Sequence, residues 1–153
     1  MTPFRNALTA LAALNVAGVT NYDIDAVPET LNRGQLPALL VLPGTADDNR
    51  LFKDFGEGFR AVAFSYGART LSVAVTHLLL LAPVNANTGI RANMPALVDT
   101  VDAYIAALAA DVTLGGALLE PAQVTLEVGT FPYGGITYHG CAFRHVWALE
   151  VTQ

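Results

Sequence analysis

The chain is poor in charge and almost without lysine. Asp, Glu, Lys and Arg together make up 14% of its 153 residues, against about a quarter in an ordinary globular protein. Lys53 is the single lysine and the arginines are scattered. No basic cluster is present to neutralise phosphates, and nucleic-acid affinity rests largely on such clusters. Cys141 is the single cysteine, which excludes an internal disulfide framework and fits a reducing cytoplasm or a particle assembled there. The longest apolar run, residues 78–84, falls far short of the roughly 18 residues a membrane helix needs. The N-terminus lacks a basic region followed by an apolar stretch and a cleavage site, so no signal peptide is expected. No glycine-rich loop leads from a strand into a helix in the dinucleotide or phosphate-binding pattern. The segment nearest to a nucleophile elbow, Phe64-Ser65-Tyr66-Gly67, lacks the first glycine.

What the chain does have is apolar residues, 53% of the total, with a net charge of −5. Its length suits one domain, residues 1–153, able to bury roughly 70% of its unfolded surface. A chain with so few charges is either an alanine-rich, weakly charged monomer or a subunit whose surface is hidden against partners, because interface cores are depleted of charge.

The pattern along the chain predicts the order α, β, β, β, α, β, β. Thr2 and Pro3 suit a helix start, and Phe4, Leu8, Leu11 and Leu14 recur on one helical face. Gly18 is a plausible stop. Residues 22–33 read as an irregular polar segment with a short helical turn after Pro28. Residues 36–44, apolar between two prolines, read as a buried strand ended by a Pro-Gly turn. Residues 45–57 form the most polar segment, a loop long enough to suggest a function. A strand over 59–66 and a longer one over 69–82 follow. In the longer one, Leu71, Val73, Val75, Leu79 and Leu81 share one face, and Thr70, Ser72, Ala74 and Thr76 the other. The clearest helix is capped by Asn93, with Pro95 in its first turn. Met94, Leu97, Val98, Val101, Ile105 and Leu108 form its apolar face, and it fades at Asp111. Residues 124–129 alternate as a strand, residues 131–135 read as turn material, and residues 136–152 form one long strand. The fold expected is α+β: a mostly antiparallel sheet of four to five strands, one long helix and one N-terminal helix packed on it, and a long C-terminal β-hairpin.

The candidates for chemistry are few. His139 and His145, six residues apart on one strand, share a face but lie about 20 Å apart by strand rise, too far to hold one metal. His77 joins one of them only if its strand pairs with the last. Cys141 lies between the two, so a thiol or His139–Cys141 site competes with a half-buried face of mixed polarity, and a lone strand cysteine is usually a small hydrophobe. Asp23 and Asp25, like Asp47, Asp48 and Asp54, lack calcium-loop spacing. Asp99 and Asp102 read as the wet side of the long helix. The residues singled out for protein contact are Asp47, Asp48, Arg50, Lys53 and Asp54 in the polar loop, and the hairpin-tip aromatics Phe131 and Tyr133. Tyr and Phe are enriched in interfaces.

Several phrases occur in a telling order: 36–44 (LPALLVLPG), 75–81 (VTHLLLL), 94–104 (MPALVDTVDAY) ending before Leu114-Gly115-Gly116, and 135–143 (GITYHGCAF) running into the last strand. This order resembles the tail-terminator and related tail-completion or neck proteins of long-tailed bacteriophages, over most of the chain from about residue 30. The resemblance implies a structural, non-enzymatic virion subunit without a cofactor. It would form a ring, commonly hexameric, assembled in the host cytoplasm and placed at the neck. The ring would cap the head-proximal end of the tail tube. Its partners would be copies of itself, the tail-tube protein and the head–tail connector or stopper protein, with DNA passing through the lumen without specific binding. The 45–57 loop would then reach the lumen or a neighbouring ring. The edges of strands 69–82 and 136–152 would be available for contacts between subunits. The alternatives are another neck, head–tail joining or tail-tube-related protein, and a small ligand-binding or enzymatic α+β domain using Cys141, His139 and His145.

Overall fold

A computed structural model describes residues 3–42, 58–65, 68–84 and 89–151. Its elements are α1 (Pro3–Ala12), β1 (Thr20–Tyr22), β2 (Ala38–Leu42), β3 (Gly58–Ser65), β4 (Ala68–Pro83), α2 (Gly89–Ala109), β5 (Gln123–Tyr133) and β6 (Ile136–Val151), with one 3₁₀ turn at Arg33–Gln35. The strands form one sheet in the order β1-β2-β4-β6-β5, with β3 also paired to β4. All pairs are antiparallel except β1 with β2. The fold is therefore the expected α+β arrangement, and β5 and β6 form its long C-terminal hairpin.

Alternation decides which residues enter the core. The odd-numbered residues Leu71, Val73, Val75, Leu79 and Leu81 of β4 and Cys141, Phe143, Trp147 and Leu149 of β6 face both helices. Ala7, Leu8 and Leu11 of α1 and Leu97 and Tyr104 of α2 meet them. On the other face a smaller cluster forms from Ala38, Leu40, Leu42, Leu78, Leu80, Tyr138 and Ala142 under Leu31, Tyr133 and Val27. Both helices thus lie on one side, and the loop after β1 covers part of the other.

β2 and β3 run end to end along the same edge of β4. Leu42 lies opposite Thr76, and Gly58 lies opposite Ala74. The last residue of β2 and the first of β3 thus lie opposite β4 positions only two residues apart. The loop residues Asp47, Asp48, Arg50, Lys53 and Asp54 lie outside the described residues.

Several details differ from the sequence expectations. β1 is an additional three-residue strand, too short for periodicity to reveal. The single-turn helix sits at Arg33–Gln35, five residues beyond Pro28. α2 begins at Gly89, which puts Pro95 inside it rather than in its first turn. Pro95 has no N–H to donate to Arg91, and the packing of the following turns sustains the helix across that gap. Residues 131–133 belong to β5, and the turn is Gly134 and Gly135 alone, both at positive φ (58° and 82°), the backbone of a tight hairpin connection. The edges of β4 and β6 are not available for contacts: β4 lies between β2/β3 and β6, and β6 lies between β4 and β5. Among the described strands, the open edges are those of β5 on one side and of β1 and β3 on the other.

Candidate functional site

Pairing of β4 with β6 sets Val75 opposite His145 and His77 opposite Phe143. This brings two histidines under α2, where their ring centroids are 6.4 Å apart. Tyr104 reaches down between them. Its hydroxyl lies 2.8 Å from His77 Nδ1 and 2.7 Å from His145 Nε2, and its ring stacks on Phe143 at 3.7 Å. The Trp147 indole N–H donates to His145 Nδ1 at 3.2 Å. Asn21 Oδ1 lies 2.9 Å from His77 Nε2, and Asn21 Nδ2 donates to the carbonyls of Leu11 and Leu14.

These contacts fix the direction of every proton. Trp147 can only donate, so His145 Nδ1 accepts and its Nε2–H donates to the Tyr104 oxygen. Tyr104 O–H then donates to His77 Nδ1. His77 Nε2–H donates to Asn21 Oδ1, and Asn21 Nδ2–H to the end of α1. The chain is complete only if both rings are neutral. Burial accords with this: it pushes His145 down to about 3. It also holds His77 well below its ordinary value, with the charge of His145 adding to the effect. Burial pushes Tyr104 well above its ordinary range, with Cys141 a smaller contributor. The relay ties α1, β1, β4, α2 and β6 together, and it leaves no ring nitrogen of His77 or His145 free for a metal or a substrate.

Cys141 is buried, and burial pushes its thiol up to about 11, far from a reactive thiolate. His139 lies on the same face of β6, also buried, and neither of its ring nitrogens has a hydrogen-bond partner. No group of three His, Cys, Asp or Glu side chains among the described residues is placed to hold a metal ion. Asp23 Oδ1 accepts the Ile24 N–H, and Asp25 pairs with Arg5. Asp99 and Asp102 are exposed on α2, as expected. Tyr133, read as a projecting contact, is instead turned inward: it is buried, and its hydroxyl donates to the Pro28 carbonyl. Phe131 is half-buried against the same second cluster. Both follow from β5 continuing to residue 133, which leaves only the two glycines at the tip.

The second place of interest is apolar. A groove of about 320 Å³ runs between the last turns of α2 and β5. Phe143 and Tyr104 are at its base, with Ile105 and Leu108 on one wall and Val124 and Leu126 on the other. The Tyr104 hydroxyl is engaged by the two histidines, so among the described residues no lining side chain offers a free polar anchor, whereas small-molecule sites carry a few convergent ones. Such a lining suits apolar side chains of another polypeptide. Met94, Val98 and Ile105, expected on the apolar face of α2, are exposed. The side turned to the sheet has Leu97 and Tyr104 buried and Val101 and Leu108 half-buried, and it centres on a tyrosine that apolar periodicity passes over. No protein-family model matches this chain, and no curated protein matches it.

Proposed function

We propose that this chain is a structural, non-enzymatic subunit of the tail-terminator type. It assembles with copies of itself into a ring at the neck of a long-tailed phage particle, between the tail tube and the head connector. The observation that best supports an assembling role is the unfinished sheet: among the described strands β5 pairs with β6 alone, and its helix-side residues Leu126 and Val128 stand in solvent. The same shape would serve another neck or tail-completion protein. A catalytic role has less support, since the buried histidines and tyrosine are occupied by one another and the groove lacks polar anchors. The acidic balance agrees with a lumen that lets DNA pass without trapping it.

The role is tested by adding the purified chain to polymerising tail-tube protein from the same particle and measuring tube length and end structure by electron microscopy. The expected result is shorter tubes, each closed at one end by a ring. Unchanged tubes with bare ends sink the tail-terminator reading.

A further inference from the structure

The helix-side surface of β5 and the open backbone of the same strand form one site, and we propose that a second copy of this chain adds a strand there. The inference rests on the structural-subunit reading above and names the joint between subunits. Two hydrogen bonds fix the geometry. Val84 N–H donates to the Thr137 carbonyl on the β4 side of β6, and Leu119 N–H to the Ala148 carbonyl on the β5 side. Odd-numbered residues of β6 therefore aim their backbone at β4 and even-numbered ones at β5. Even β6 residues pair with odd β5 residues, as Ala142 with Glu127 and Gly140 with Gly129. The even residues of β5, Val124, Leu126, Val128, Thr130 and Pro132, thus turn their N–H and C=O groups outward. Pro132 conforms to this parity, because an outward position is the one where a missing N–H leaves the ladder intact.

Two of these residues, Val124 and Leu126, line the groove, and Val128 continues their row along the strand. Val124, Leu126 and Val128 lie opposite His145, Phe143 and Cys141, on the helix side of the sheet. Met94, Val98 and Ile105 fall within about 40° of one another around α2, and Ile105 forms a wall of the groove. That flank of the helix therefore faces β5. Val98 is 54% exposed and Val128 58%. An open ladder beside an apolar trough is the arrangement that receives an extended chain, whose alternate side chains drop into the trough. Sheet edges are normally guarded by lysine, proline or bulges. In β5 the guard is Pro132 alone, near one end. Its only charge, Glu127, belongs to the opposite face and is held by Arg144 Nη2 at 2.7 Å.

The occupant is a second copy because the same sheet ends, on its other side, in another open strand. Among the described strands β3 pairs with β4 alone. Each copy therefore carries two unlike open edges, as a head-to-tail ring requires. A stable interface takes roughly 800 Å² from each partner. A ladder over residues 124–130, about 20 Å long, falls short of that by itself, and the trough adds the apolar area that the ladder lacks.

The test is sedimentation velocity of the full chain over a wide concentration range, with two variants checked for an unchanged fold by circular dichroism. Val128→Pro removes an outward N–H and spares the β5–β6 ladder; Leu126→Asp with Val128→Asp charges the trough. The wild type is expected to associate, and both variants to need about 100-fold higher concentration, the loss of two contacts of ordinary strength. Variants that associate like the wild type overturn this joint while leaving the ring reading standing. A wild type monomeric at every concentration overturns the second copy as occupant. If that monomer still caps tail tubes, the structural role survives. A Val128→Cys chain that cross-links to itself under oxidation reveals a symmetric β5–β5 pair and overturns the head-to-tail joint between unlike edges.

Discussion

The two sides of β6 differ in how completely they are finished. On the side of the helices, the β6 residues His139, Cys141, Phe143, His145, Trp147 and Leu149 are all buried, and a series of hydrogen bonds runs from Trp147 through His145, Tyr104 and His77 to Asn21. Toward β5, the sheet ends in a strand exposed on both faces at its centre. The first region sets one packing of α2 on the sheet. The second is left with open hydrogen-bonding groups and uncovered valine and leucine. One region thus secures the monomer, and the centre of the other leaves apolar side chains and backbone groups that the described residues do not cover.

Two glycines that face each other across the β5–β6 ladder make the sharpest form of this contrast, because one belongs to each region. A Cβ at Gly140 would come within 1.9 Å of the Leu79 carbonyl oxygen. This lies next to the irregularity in β4 between Leu80 and Ala82. Neither backbone can retreat without opening the central pair of strands. Gly140→Ala is expected to lower stability by about 4 kcal/mol, at the upper end of single-residue effects, as measured by urea denaturation. A loss below 1 kcal/mol would show that the close approach of β4 and β6 is not fixed.

Tyr104→Phe tests the relay directly. The ring still stacks on Phe143, but His145 Nε2–H and His77 Nδ1 both lose their partner inside the core. Each buried group left unpaired costs about 1–3 kcal/mol, so a loss of roughly 3 kcal/mol is expected, with the spectrum of the folded state unchanged. A cost no larger than for a surface tyrosine would dismiss the relay as a structural element.

Acid probes the same atoms without mutation. In the unfolded chain each histidine takes up a proton as pH falls through 6.5, whereas folded His145 resists until about 3. The unfolded state therefore binds more protons in this window, and stability falls as pH falls. At about 1.4 kcal/mol per pH unit, His145 alone removes roughly 2.5 kcal/mol between pH 6.5 and pH 4.5, and His77 acts in the same direction. Denaturation midpoints at the two pH values measure it. A double variant, His77→Gln with His145→Gln, is expected to lose most of the slope; an equal slope in that variant refutes the assignment.

The covered region was more legible in the sequence than the margin. Alternation placed Leu71, Val73, Val75 and Leu79 on one face of β4, and Phe143, Trp147 and Leu149 on one face of β6, because period two survives any tertiary arrangement. The relay was only half visible. His77 and His145 were noticed, but their meeting depends on the β4–β6 register, and Tyr104 and Asn21 carry no local signal. The helix face was misjudged by about a quarter turn, since Met94, Val98 and Ile105 are as apolar as the residues that are buried. Apolar periodicity reports a wish for burial, and it does not say whether the cover comes from this chain or another. Tyr133 was misplaced for a different reason: Phe-Pro-Tyr beside two glycines looks like a turn, yet proline at an outward edge position is compatible with a strand.

The smallest expected effect concerns the glycine on the open side. A Cβ at Gly129 meets nothing within 4 Å, so Gly129→Ala creates no overlap. The added methyl stiffens the unfolded chain and the strand, and such a change at an unstrained site stabilises by about 0.5 kcal/mol. Gly129 is odd-numbered, so the methyl lies on the face away from the helices and leaves the trough as it was. Thermal denaturation of the dilute monomer is thus expected to show a small rise, and sedimentation no change in association. A loss of more than 1 kcal/mol in the monomer would mean that this margin is packed as tightly as its partner strand, and the contrast between the two sides of β6 would fail. Weakened association with an intact monomer would carry the joint onto the Glu127–Arg144 face of β5 and away from α2.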